Sequence, residues 1–230
     1  MIDLHGFGPA LLAGTWMTIQ LALTSLCLGL VLGLLGALAK TSHAAPLRWI
    51  GGTYSTIVRG VPELLWVLLI YFGTTTLIRN LGELLGIEDL ALSPFAAGVI
   101  ALGLCFGAYA TEVFRGALLA IPKGHREAGL ALGMGKVRIF WRLILPQMWR
   151  MALPGLGNLF MILMKDTALV SVIGLEEIMR RSQIAVSVSK EPFTFFLVAA
   201  LIYLSLTILA MIGMHFLEKR AARGFTRSAA

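Results

Sequence analysis

The sequence predicts an all-α, polytopic membrane protein of five transmembrane helices with one large cytoplasmic loop, and three observations carry that prediction. Of 230 residues, 58% are hydrophobic and only 13% charged, more apolar surface than a soluble domain of this length hides. The apolar residues fall into runs long enough to cross a bilayer, for which about 20 residues suffice. The cations, which give a formal net charge of +7, gather at the ends of these runs and in one central segment. That clustering reads as orientation signals and as anchors for anionic membrane lipid or a cytoplasmic partner, not as a nucleic-acid footprint.

Residues 7–39 contain no charge, with Asp3 before them and Lys40, His43 and Arg48 after. A cleavable leader would start basic and have a shorter apolar core, so the first helix is expected to stay attached and to run from outside to inside. Gly29, Gly33 and Gly36 fall near one face. They form either a seam for a close neighbour or the ordinary glycine content of a membrane helix. Cys27 and Cys105 lie within apolar runs, far from any metal or redox spacing, and are expected to be buried free thiols. The four histidines are scattered and suggest no metal site.

Residues 41–59 read as a polar cytoplasmic connection ending in Arg59-Gly60-Val61-Pro62-Glu63. Pro62 suits a first helical turn, and Glu63 faces the positive end of the helix dipole there, a sufficient structural reason for that acid. A second span is expected near 60–79. Residues 79–93 carry Glu83, Glu88 and Asp89 against Arg79 and fit the outer face. Ser93-Pro94, a hydroxyl cap followed by proline, opens a third span near 94–115, with Gly103 and Gly107 as a second close-packing face. Tyr109, Glu112 and Arg115 follow at three-residue steps on one side of that helix. They form either an interfacial anchor with a local ion pair or part of a path lining.

The central segment breaks from its surroundings. Seven Lys and Arg residues lie between Arg115 and Arg150, which places residues 121–146 outside the hydrocarbon, on the cytoplasmic face. Residues 124–132 read as a short helix with a small patch at Ala128, Gly129 and Ala131, stopped by Gly133 and Gly135. Residues 137–145 form an amphipathic run, with Pro146 ending it.

Residues 151–164 are apolar but too short to span alone; Lys165-Asp166-Thr167 follow, and apolarity resumes over 168–175. A charge near the bilayer centre costs about 2.5–3.5 kcal/mol on insertion scales, so the pair needs a reason. Either a fourth span near 147–173 is broken at Asp166 and the pair faces a watery cavity, or the span ends at Met164 and the pair snorkels to the outer interface. Residues 176–191 read as an outer-surface helix. A fifth span is expected near 193–217 and a basic cytoplasmic tail over 218–230. On this topology Arg79, Lys165, Arg180, Arg181 and Lys190 lie outside and the remaining fourteen cations inside, so the N-terminus is outside and the C-terminus inside.

The order of residues in the central segment resembles the cytoplasmic loop of the membrane subunits of bacterial ABC importers: Glu-Ala-Ala, three residues, Gly, nine residues, Ile, one residue, Leu-Pro. Here it reads Glu127-Ala128-Gly129, Gly133, Leu143 and Leu145-Pro146, with the spacing kept and two letters changed. The phrase RGVPELLWVLLIYFG is similar to one from the polar amino-acid branch of that family. Its acid, Glu63, resembles the variant of the histidine, lysine, arginine and ornithine permeases. GAYATEVFRGAL and KDTALVSVIGLEEI resemble further stretches of the same branch, so the likeness covers nearly the whole chain.

The resemblance implies an ABC transmembrane type 1 fold in a bacterial inner membrane. It implies a sister permease, a dimer of ATPase subunits beneath, and a periplasmic amino-acid-binding protein docking on the outer side. It implies Glu127, Ala128, Gly129 and Gly133 as ATPase-coupling contacts. Lys165, Asp166 and Thr167, with Glu63, Glu112 and Arg115, become path residues for a polar, basic amino acid. No Walker phosphate loop, dinucleotide fingerprint, hydrolytic triad or zinc spacing is present, so no enzymatic role and no cofactor are expected. The competing readings are an ion-gradient-driven carrier or channel, which predicts inverted repeats or several intramembrane acids, and a scaffolding membrane protein without a substrate path.

Overall fold

The structure, a computed structural model, describes residues 4–85 and 92–222, with side chains between 78 and 91 left out. The outer-face charges Arg79, Glu83, Glu88 and Asp89 and the tail cations Arg223 and Arg227 therefore fall outside the described side chains. Among the described residues every regular element is helical.

Helix α1, Gly8–Lys40, is apolar all round, as a helix among lipids and other helices must be, and at 33 residues it is about 50 Å long. It packs chiefly against α4, Pro94–Ala120, whose first turn is capped as expected by Ser93 Oγ accepting from the Ala96 N–H at 3.2 Å. The seam between them settles the role of the glycines. A Cβ on Gly33 would stand 2.6 Å from the Ala110 Cβ, and one on Gly107 would meet Leu32 at 2.8 Å. Backbones this close gain dispersion and carbonyl contacts in a solvent where the hydrophobic effect gives helices no reason to associate.

The segment expected to be a polar connection is instead helix α2, Ala45–Gly60. Gly51, Ser55 and Val58 are buried on one side, while Leu47, Trp49, Ile50 and Ile57 are exposed on the other. Its glycines, serine and threonines disguise a 3.6-residue period that small buried residues serve as well as large ones. Pro62 ends it: the ring forces Val61 into extended backbone (φ −115°, ψ 135°), and α3, Glu63–Leu85, leaves at 104° to α2. Among the described residues four helical stretches are long and apolar enough to cross a membrane alone, and the bent α2–α3 pair, taken as one span, makes a fifth.

Helix α5, Lys123–Ala131, stops at Gly133, which has φ +71°, and α6, Lys136–Ile139, starts the return. Pro146 does not end this return helix, against the sequence expectation. A π turn over Phe140–Ile144 widens the backbone, so that the Leu145 N–H bonds to the Phe140 carbonyl five residues back and the proline ring is accommodated in the first turn of α7, Leu145–Asp166. The backbone then tightens into a 3₁₀ helix over Thr167–Ile173 and turns off at Gly174, φ +91°. The short apolar run of residues 151–164 is thus extended at both ends into one helical stretch, Lys136–Ile173.

Helix α8, Ile178–Ser189, is not the simple surface helix expected. Its cap, Glu177, is fully buried: the carboxylate accepts from the Met179 and Arg180 N–H groups at 2.9 and 2.8 Å and from the Tyr203 hydroxyl at 2.6 Å. Burial pushes this carboxyl up from its ordinary range, and those hydrogen bonds pull against the shift. Through Tyr203 it ties in α9, Pro192–Ala221, in which only Phe195 and Ala199 are fully buried. Cys105 is buried as expected, whereas Cys27 is exposed on α1.

Candidate functional site

Three helices enclose a cavity of about 180 Å³ at the middle of α4. Helix α4 contributes Leu102, Cys105, Phe106 and Tyr109, and α7 contributes Leu159, Ile162, Leu163 and Asp166. Both sets fall at i, i+3, i+4 and i+7, one face of each helix. Glu63, in the first turn of α3, completes the wall. Two carboxylates more than a hundred residues apart in sequence therefore share one otherwise apolar cavity. None of its nine lining residues is Lys or Arg.

Tyr109 donates its hydroxyl to Glu63 Oε1 at 3.2 Å. The Arg59 guanidinium, at the end of α2, lies over the Tyr109 ring 5.2 Å from its centroid, a cation–π distance. Asp166 stands where α7 gives way to the 3₁₀ turn, and of the two sequence readings the structure takes neither whole. Asp166 faces the cavity, while Lys165 is exposed and not among its walls. Thr167 is buried and donates to the Met164 carbonyl at 2.7 Å, closing the helix end.

Glu112 and Arg115 also lie outside the cavity lining. Glu112 holds a second polar cluster nearer the basic end of the molecule, accepting from Lys40 Nζ, from Arg115 Nε at 2.9 Å and from Ser55 Oγ at 3.2 Å. Arg59 Nη1 is a looser fourth neighbour at 3.8 Å. One carboxylate thus joins α1, α2 and α4. The three-residue step from Glu112 to Arg115 gives the ion pair expected, but Tyr109 turns away from it to Glu63. Sequence reasoning left Arg59 out of the site and grouped Tyr109 with Glu112 and Arg115 and not with Glu63, because nothing in periodicity says which distant acid a phenol meets.

At the basic end, Glu127 and Ala128 are exposed on α5, while Gly129 is buried. A Cβ there would stand 2.9 Å from Ile139, which is why glycine replaces the second alanine of the motif: the return helix sits directly on it. Gly133 supplies the positive-φ turn, its N–H bonded to the Leu130 carbonyl at 2.9 Å. Around this turn Leu132, Val137 and Trp141 stand 80%, 72% and 62% exposed. Three large apolar side chains thus stand exposed around a turn rich in cations.

The family model described as binding-protein-dependent transport system inner membrane component matches residues 29–223. The octopine transport system permease protein OccQ of Rhizobium meliloti is 43% identical over 232 residues, covering 98% of each chain. The histidine/lysine/arginine/ornithine transport system permease protein HisQ of Escherichia coli (strain K12) is 40% identical over 225 residues, covering 98% of this chain and 99% of that one. Among solved structures, the crystal structure of an amino acid ABC transporter with histidines superposes with a TM-score of 0.78 at 31% identity, covering 96% and 99% of the two chains.

Proposed function

The chain belongs to the family of binding-protein-dependent transport system inner membrane components, and on that footing we propose that it is the translocation subunit of an ATP-driven importer for basic amino acids. Its membrane is the bacterial inner membrane, with the basic end in the cytoplasm and the N-terminus outside, as the positive-inside rule directs. Its partners are a sister permease, a pair of ATPase subunits and a periplasmic amino-acid-binding protein.

The observation that carries the substrate class is the pair of acids in the cavity. Glu63 and Asp166 occupy a mid-span, mainly apolar space with no Lys or Arg in its walls. A carboxylate in such a space is costly and marks a ligand path. A cationic side chain and an α-ammonium group supply what the walls lack. The relatives fit this reading, since one carries histidine, lysine, arginine and ornithine in its name and another octopine. An ion-gradient carrier would need no exposed apolar loop of the kind formed by Leu132, Val137 and Trp141.

In this reading Glu127, Ala128, Gly129 and Gly133 form the part that docks on the ATPase. Gly129 lets α5 lie against Ile139, so a push on α5 reaches the return helix directly and, through the unbroken helical stretch to Ile173, the cavity wall at Asp166. ATP closing the partner dimer favours one arrangement of these helices over the other, a population shift that moves the cavity's access from one side to the other. Uptake of labelled arginine by proteoliposomes holding the complete complex is expected to require ATP inside and the binding protein outside. Uptake driven by an ion gradient without the ATPase would overturn the proposal.

A further inference from the structure

A basic amino acid brings two cationic groups and one carboxylate. The cavity offers Glu63 and Asp166 to the first two, and among its walls nothing positive to the third. Carboxylates buried without a cation or a set of N–H donors are as costly as buried ammonium groups, so a partner for the third group must lie within reach. Two cations are near. Lys165 neighbours Asp166 in sequence but is exposed and does not line the cavity. Arg59 lies over the ring of Tyr109, itself a wall of the cavity, whose hydroxyl reaches Glu63.

Arg59 is also the least committed member of its cluster. Glu112 is engaged by Lys40 and by Arg115 at 2.9 Å, and Arg59 approaches it only to 3.8 Å. Three cations around one carboxylate leave a surplus of positive charge, and Arg59, two-fifths exposed, carries the surplus on the flank of the cavity. Its planar fork of N–H donors matches a carboxylate in two parallel hydrogen bonds, and the Tyr109 face holds that plane in place.

We propose that Arg59 is the residue that recognises the α-carboxylate of the substrate, and that Tyr109 positions it. This rests on the reading of the cavity as a site for basic amino acids. The three charged groups of the substrate then meet three charged groups of the protein, and a basic amine without a carboxylate is rejected because the guanidinium is left without its partner.

The test compares arginine with agmatine, the same molecule lacking the carboxylate, in equilibrium binding to the purified complex of permease, sister subunit and ATPase, without the binding protein. The intact complex is expected to prefer arginine by about tenfold or more, the worth of a charge-assisted pair. Arg59→Gln is expected to bring the two affinities within about threefold by weakening arginine alone, and Arg59→Lys to restore part of the preference. Lys165→Gln is expected to leave the preference intact. Since the readout is a ratio within one preparation, a merely destabilised protein does not mimic the result. A preference that survives Arg59→Gln, or one that disappears with Lys165→Gln, overturns the assignment to Arg59 while leaving the cavity reading in place. Binding of neither compound by the intact complex overturns both.

Discussion

Glu112, within α4, and Glu63, in the first turn of the neighbouring α3, are both acids in a membrane protein, yet their surroundings are opposite. Glu112 accepts from Lys40, Ser55 and Arg115, with Arg59 close by. Glu63 and its cavity partner Asp166 have a phenol and apolar side chains around them. The difference separates two uses of one chemical group. A carboxylate already surrounded by cations of its own chain joins helices, whereas a carboxylate facing a cavity lined by leucines and a phenylalanine is, in the proposed reading, left for a cation from elsewhere. Charge in a membrane span therefore says less about function than whether the protein has neutralised it.

Substitutions that remove charge without changing shape break this comparison most sharply. The pair Glu63→Gln with Asp166→Asn is expected to abolish measurable arginine binding to the assembled complex, a loss of about a hundredfold or more, since two charge-assisted contacts go together. Each change alone is expected to weaken binding about tenfold and to leave thermal stability unchanged or raised, because a costly acid has been removed. Glu112→Gln is expected to do the reverse. Three cations then face one another without an acid, the melting temperature of the complex falls by about 3 °C or more, and arginine affinity in the folded fraction stays within about threefold. Tyr109→Phe, which deletes one neutral donor to Glu63, is expected to weaken binding only about two- to fivefold.

The sequence carried the helical order well. The Ser93 cap and the Gly133 turn follow from local rules, and the structure places both where those rules put them. Two elements escaped because their signal was not local. The small, polar buried face of α2 imitates a linker, and Pro146 reads as a terminator until a π turn absorbs it. The site was half legible. Lys165 and Asp166 stood out as charges in a costly place, whereas Glu63 had a sufficient structural reason in the helix dipole and joined Glu112, Arg115 and Thr167 as a path residue only through the family resemblance. Only the packing of α3, α4 and α7 shows which of these face one cavity. The pairing of Tyr109 with Glu63, forty-six positions apart, depends on that same packing.

The loop at the basic end extends the contrast. There the protein leaves apolar groups uncovered in place of charged ones, with Leu132 and Val137 about three-quarters exposed. A partner is expected to cover them, just as a substrate is expected to neutralise the cavity acids.

The most direct measurement of the central claim is a structure of the complete complex at saturating arginine. The account predicts ligand density between α3, α4 and α7, with one cationic group about 3 Å from the Glu63 carboxylate and the other about 3 Å from that of Asp166. An empty cavity beside an otherwise ordered complex, or arginine bound only at the Glu112 cluster, would contradict it.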